Sequence, residues 1–172
     1  MGVAFGLLSG DNVRASDLDL ARVLTALRES LADRLVAVVL FGSRARGDAS
    51  ARSDWDLLVI ARGLPDRTFQ RRLHLMRMLP SPERGLTSIV ARTPAEFEDH
   101  LSSLYLDIGL DGIPLYDPQG YAQESLDRLR RIIAQSGISR QRTEDGFVWR
   151  WRRGRGNGHL AGWESVGAAA IG

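Results

Sequence analysis

The stretch Phe41–Ile60, FGSRARGDASARSDWDLLVI, decides how the whole chain is read. An apolar run rich in valine, Leu35–Phe41, leads into it and has the character of a buried strand. A second run, Asp54–Ala61, closes it. The intervening residues 42–53 are too few for a full crossover helix, so a short helix and a hairpin-like return are expected. Asp54 and Asp56 stand two apart, and on a strand that spacing points both carboxylates to one side. Trp55, Leu57 and Val59 then fall on the other face and pack in the core.

Two anions this close repel unless a cation or protons compensate. A divalent metal suits the arrangement: Mg²⁺ takes hard oxygen donors and prefers one or two carboxylates together with substrate phosphates. Gly42-Ser43 supplies the complementary half. Glycine permits close backbone approach, and amides with a serine hydroxyl at a helix start hold an anion. Arg44 and Arg46 either add charge there or face solvent. A lone Asp-x-Asp is a weak signal. Gly-Ser, residues 44–53, then Asp-x-Asp between apolar strands is a specific one, and it describes a site for a metal-bound nucleoside triphosphate.

Outward from this stretch, Ser16 is placed to cap a helix whose Leu20, Val23, Leu24, Leu27 and Leu31 share one face. A turn at 63–66, a basic helix over 67–79 and a third strand over 86–91 follow. Thr93-Pro94-Ala95-Glu96 opens a further helix with a capping box, and Phe97, Leu101, Leu104 and Ile108 continue its stripe. An extended piece at 113–116 precedes a helix over 119–136, ended by Gly137. The fold expected is α+β, α/β-like: a mixed central sheet with helices mainly on one side, plus a small C-terminal β-hairpin-like appendage. The division expected is a main domain over 1–137 and an extension over 138–172. In that extension, residues 138–153 form a hairpin around Asp145-Gly146, 154–158 (GRGNG) a linker, and 167–172 a frayed end.

Composition narrows the classes further. The 172 residues contain no cysteine and no lysine, so a thiolate metal site, a Cys nucleophile and Schiff-base chemistry are all excluded. Any cationic phosphate contact must therefore come from arginine. No run approaches a membrane span, and the N-terminus lacks the features of a signal peptide, so cytoplasmic residence is expected. The net charge of +2 gives no ground for nucleic-acid binding. In Phe147–Trp151, alternating aromatics and arginines read as a strand with Phe147, Trp149 and Trp151 packed on the domain. His74, His100 and His159 have no companions that would make a zinc site. Tyr105, Tyr116 and Tyr121 are candidate acceptors if the protein modifies itself.

Gly42, Ser43, Arg44, Ala45, Arg46, Gly47, then Ser53, Asp54, Trp55, Asp56 and Leu57, resemble the signature of the DNA polymerase beta-like nucleotidyltransferases. They look most like its small antitoxin-type bacterial members, and the resemblance covers about residues 16–117. It implies that Asp54 and Asp56 are catalytic metal ligands for Mg²⁺ or Mn²⁺, and that Gly42 and Ser43 hold an NTP, ATP first. It implies AMP transfer to a protein or small-molecule hydroxyl. The alternative is a degenerate nucleotide binder that partners a helical HEPN-type protein. The family's third aspartate is expected six residues before the proline of the Thr-Pro helix start. In this chain that position is Ser88, with Glu83, Glu96 and Glu98 as the neighbouring carboxylates.

Overall fold

The structure, a computed structural model, describes residues 15–99, 101–144 and 146–151. The expectations for 1–14, His100, Asp145, the 154–158 linker, His159 and the chain end lie outside the described residues. In chain order the elements are α1 (Ala15–Leu31), β1 (Leu35–Phe41), α2 (Gly42–Arg46), β2 (Trp55–Ala61), α3 (Thr68–Met78), α4 (Ser81–Arg84), β3 (Thr87–Arg92), α5 (Pro94–Asp99), α6 (Ser103–Asp111), β4 (Ile113–Tyr116), α7 (Tyr121–Ser136), β5 (Ile138–Thr143) and β6 (Gly146–Trp151). Among them no helix is long and apolar enough to cross a membrane.

The sheet is mixed, in the order β3-β2-β1-β4. β1 pairs antiparallel with β2 and with β4, while β2 pairs parallel with β3. The expected α+β class with a mixed sheet is what the chain forms. The covering of that sheet differs from expectation, because helices lie on both faces. Val38, Leu40, Trp55, Leu57 and Val59 pack with Val23, Leu27 and Leu31 of α1 and Leu75 of α3. Val39, Leu58 and Ile60 pack with Phe97 of α5, Ile108 of α6, and Leu126 and Leu129 of α7. The alternating side chains of β1 and β2 are apolar at both parities, and a sheet with two apolar faces needs cover on each. Burying a side chain of this kind contributes roughly 1.5–3 kcal/mol.

The helix expected from Thr93 onward is two helices. The first keeps its capping box: Glu96 accepts from the Thr93 N–H at 2.9 Å, and Thr93 Oγ1 accepts from the Glu96 N–H at 3.3 Å. The second begins afresh because Ser102 Oγ accepts from the Tyr105 N–H, a cap that competes with continuing the first helix. α6 and α7 then approach closely, since a Cβ on Gly109 would lie 2.7 Å from Leu129 Cβ. The C-terminal hairpin β5–β6 docks on this pair through Ile138 and Trp149, which pack with Leu106 and Ile133.

Candidate functional site

Phe41 ends β1 in extended conformation, and Gly42 turns the chain at φ +72 to start α2. That left-handed turn favours glycine, and the neighbourhood demands it. Phe41 is in register with Asp56, so a Cβ on Gly42 would run into the Asp56 carboxylate, 3.0 Å from its Cγ. The short helix ends at Gly47 (φ +81), whose N–H donates to the Ser43 carbonyl. Gly42-Ser43 and Asp56 are thus brought together at one end of the central strand pair.

Asp54 sits exposed just before β2 and Asp56 lies half-buried at its start. Burial, then the neighbouring Asp54 charge, pushes the Asp56 carboxyl above its ordinary value; the Ser88 hydroxyl and the Arg46 charge pull the other way. Ser88 is opposite Asp56 in the parallel register of β2 and β3. No described group of three His, Cys, Asp or Glu side chains converges there. The pair alone fits Mg²⁺ or Mn²⁺ chemically. They are two hard donors whose mutual repulsion a dication would relieve, and the Asp56 carboxylate lies directly against Gly42.

The two arginines of the loop behave differently. Arg44 Nε and Nη2 donate to the Ser53 carbonyl at 3.0 and 2.6 Å, and its guanidinium lies 4.2 Å from the centre of the Trp55 ring. It braces the loop that delivers Asp54. Arg46 stays at the edge, paired with Asp48 at 3.2 Å and with Asp111 at 3.7 Å, and lies 5.0 Å from the centre of the Phe147 ring.

The three neighbouring glutamates stand elsewhere. Glu83 is buried against Arg22 of α1 at 3.0 Å. Glu96 holds the buried Arg71 by two bonds of 2.6 and 2.9 Å, and Glu98 accepts from the Tyr121 hydroxyl at 2.9 Å. Both follow the C-terminal end of β3, the end away from Ser88. The tyrosines are also turned from the site. Tyr105 is buried and accepts from Arg92, Tyr116 lies under Arg28, and Tyr121 belongs with Glu98.

Sequence reasoning missed that Asp111 and Phe147 border the site. The alternation of arginine and aromatic residues in the last strands was visible, but nothing in it says against which element the hairpin lies. Of its three aromatics only Trp149 is well covered; Phe147 and Trp151 stay 38% and 56% exposed. The single-face packing expected for all three is therefore corrected: of the three, Trp149 is the one that packs against Leu106, Ile133 and Ile138.

Residues 26–83, which hold Gly42, Ser43, Asp54 and Asp56, match the family Polymerase beta, Nucleotidyltransferase. The candidate protein adenylyltransferase MJ1305 of Methanocaldococcus jannaschii is 48% identical over 48 residues, which is 28% of this chain and 33% of that protein. The chain thus spans about a third of the length of that curated relative. Among solved structures, a toxin–antitoxin complex with AMP-PNP superposes with TM-score 0.47 at 21% identity, over 67% of this chain and 90% of that one. A candidate nucleotidyltransferase from Sulfolobus solfataricus gives 0.42 at 22%, over 64% and 94%. A Shewanella oneidensis MNT antitoxin in complex with tri-AMPylated HEPN toxin gives 0.43 at 19%, over 69% and 89%. At these scores the superpositions carry no argument of their own. What the comparisons establish is a likeness: residues 26–83 are similar to the polymerase beta-type nucleotidyltransferases.

Proposed function

We propose that this chain binds a metal–nucleoside triphosphate, ATP first, and transfers its nucleoside monophosphate to a hydroxyl of a protein or small molecule. The observation that supports this most is the close apposition of Gly42 to Asp56, where a Cβ would collide with the carboxylate. In this reading Gly42 and Ser43 hold the triphosphate by backbone amides and the Ser43 hydroxyl, and Asp54 and Asp56 hold Mg²⁺ or Mn²⁺. The cation supplies neutralisation of the phosphate charge. Asp56 must be ionised to do so, and its raised affinity for a proton sets an acidic limit to binding. The acceptor oxygen bonds to the α-phosphorus as the bond to pyrophosphate breaks, and the hydroxyl proton leaves to solvent.

Ser88 favours a second reading. Opposite Asp56 stands a neutral hydroxyl, a poor Mg²⁺ ligand and no base at neutral pH. A nucleotide-binding module without transfer, serving as the antitoxin-like partner of a HEPN-type helical protein, fits that substitution. The two readings separate on incubation with each α-labelled NTP and Mg²⁺ or Mn²⁺, with and without cell lysate. An Asp54→Ala/Asp56→Ala protein is the control. Label transfer that vanishes in the control supports the enzyme. Metal-dependent binding without transfer, turned into transfer by Ser88→Asp, supports the degenerate module.

A further inference from the structure

The C-terminal hairpin reaches the site edge through a chain of charges that the reading above leaves unused. Arg140 of β5 donates to both oxygens of Asp111, at 2.5 and 2.8 Å, and to Asp107 at 3.2 Å. Asp107 also accepts from the Trp149 indole N–H at 3.2 Å. Asp111 ends α6, and its Oδ2 lies 3.7 Å from Arg46 Nη1. The Phe147 ring on β6 has Arg140 4.4 Å and Arg46 5.0 Å from its centre. Arg46 itself follows Gly42-Ser43 by one turn of the same helix.

Arg46 therefore faces two carboxylates, Asp48 and Asp111, and a guanidinium matched by two anions has little attraction left for a phosphate. The bidentate grip of Arg140 changes that balance. A carboxylate forked by one arginine is largely neutralised, and the longer contact to Arg46 is the weaker of its partnerships. Hairpin docking alone does not require this arrangement, because Ile138 and Trp149 already anchor the strands on Leu106 and Ile133. We propose that Arg140 and Phe147 are positioning residues for Arg46: Arg140 occupies Asp111 and the Phe147 ring props the guanidinium, so that Arg46 is held at the site edge with charge available for a bound triphosphate. The proposal rests on the nucleotide-binding reading, and it makes the hairpin part of the site.

The test is equilibrium titration of the full chain with a non-hydrolysable ATP analogue and Mg²⁺, with thermal melts run alongside. Arg140→Met leaves Asp111 free to capture Arg46, and affinity is expected to fall roughly tenfold. Adding Asp111→Asn to that variant removes the capturing charge, and affinity is expected to return to within about threefold of the parent. Phe147→Leu keeps apolar bulk and is expected to cost about threefold. In an Arg46→Met background neither hairpin substitution should change affinity by more than about twofold. A double variant that stays as weak as Arg140→Met, or hairpin effects that persist without Arg46, would overturn the proposal and leave nucleotide binding standing. A parent protein that does not bind the analogue at all overturns the nucleotide reading, and the proposal with it.

Discussion

Asp56→Asn is expected to do two opposite things: stabilise the metal-free protein and abolish metal–nucleotide binding. Asp54 immediately precedes β2, and extended chain at that point separates it from Asp56 by about 7 Å. Two charges at that distance repel by ~0.6 kcal/mol at the dielectric of water and ~2.4 kcal/mol at an effective value of 20. Asp54 is exposed, so the lower figure governs, and Ser88 with Arg46 offset part of it. Half-burial of Asp56 adds a desolvation cost. The net gain from removing the charge is about 0.5–1 kcal/mol, a rise in Tm of about 1–4 °C for a chain of this size. The sign with pH follows from linkage. The folded carboxyl binds its proton more tightly than the unfolded one, so the penalty is complete above the raised folded value. It fades as pH falls through that value toward the ordinary 3.8. The advantage of the asparagine should therefore shrink on acidification to about pH 4. Thermal melts in EDTA at pH 7 and pH 4 measure the first effect. Calorimetric titration with Mg²⁺ and ATP measures the second, and the expected loss is at least about a hundredfold. An asparagine variant clearly less stable than its parent at pH 7 without metal would refute the reasoning. It would mean that the protein's own cations already satisfy Asp56.

Gly42→Ala forces a Cβ at positive φ into the Asp56 carboxylate. It is expected to lose about 2–3 kcal/mol in urea denaturation together with nucleotide binding; a stable, binding alanine variant would deny the close approach. Glu96→Gln unpairs the buried Arg71, whose presence holds the Glu96 carboxyl down at about 2. The cost is about 1–2 kcal/mol at pH 7, modest because Glu96 is 42% exposed. Here the folded value is depressed, so the wild-type advantage is present above the ordinary 4.5 and disappears as pH falls through about 2. Urea midpoints across that range check it.

The central hairpin of the sheet was legible because its code is local. Valine-rich runs, a glycine at the turn and residues 42–53 between them leave β1 and β2 little choice but to return antiparallel. The break between α5 and α6 was less legible: the apolar stripe runs through it, and only Ser102 announces a new start. Helices on both faces could have been read from Leu58 and Ile60, which are as apolar as Leu57 and Val59. Arg44 and Arg46 could not be told apart, because both carry the same charge on the same loop. Only the position of the Ser53 carbonyl and the Trp55 ring turns Arg44 inward.

By itself the sequence determined the alternation of strands and helices, the place of Asp54 and Asp56 about the start of β2, and the glycine that lets Asp56 be approached. These depend on periodicity and on the steric properties of single residues, which act over a few positions. Tertiary structure alone decided that Ser88 stands against Asp56, that Glu83, Glu96 and Glu98 do not, and that Asp111, Arg140 and Phe147 do border Arg46. Contacts such as Arg46–Phe147 and Arg140–Asp111 join segments far apart in the chain, and their register is set by the packing of α6, α7 and the hairpin. No local pattern carries that information, because the energy that fixes it comes from surfaces that meet only once the chain has folded.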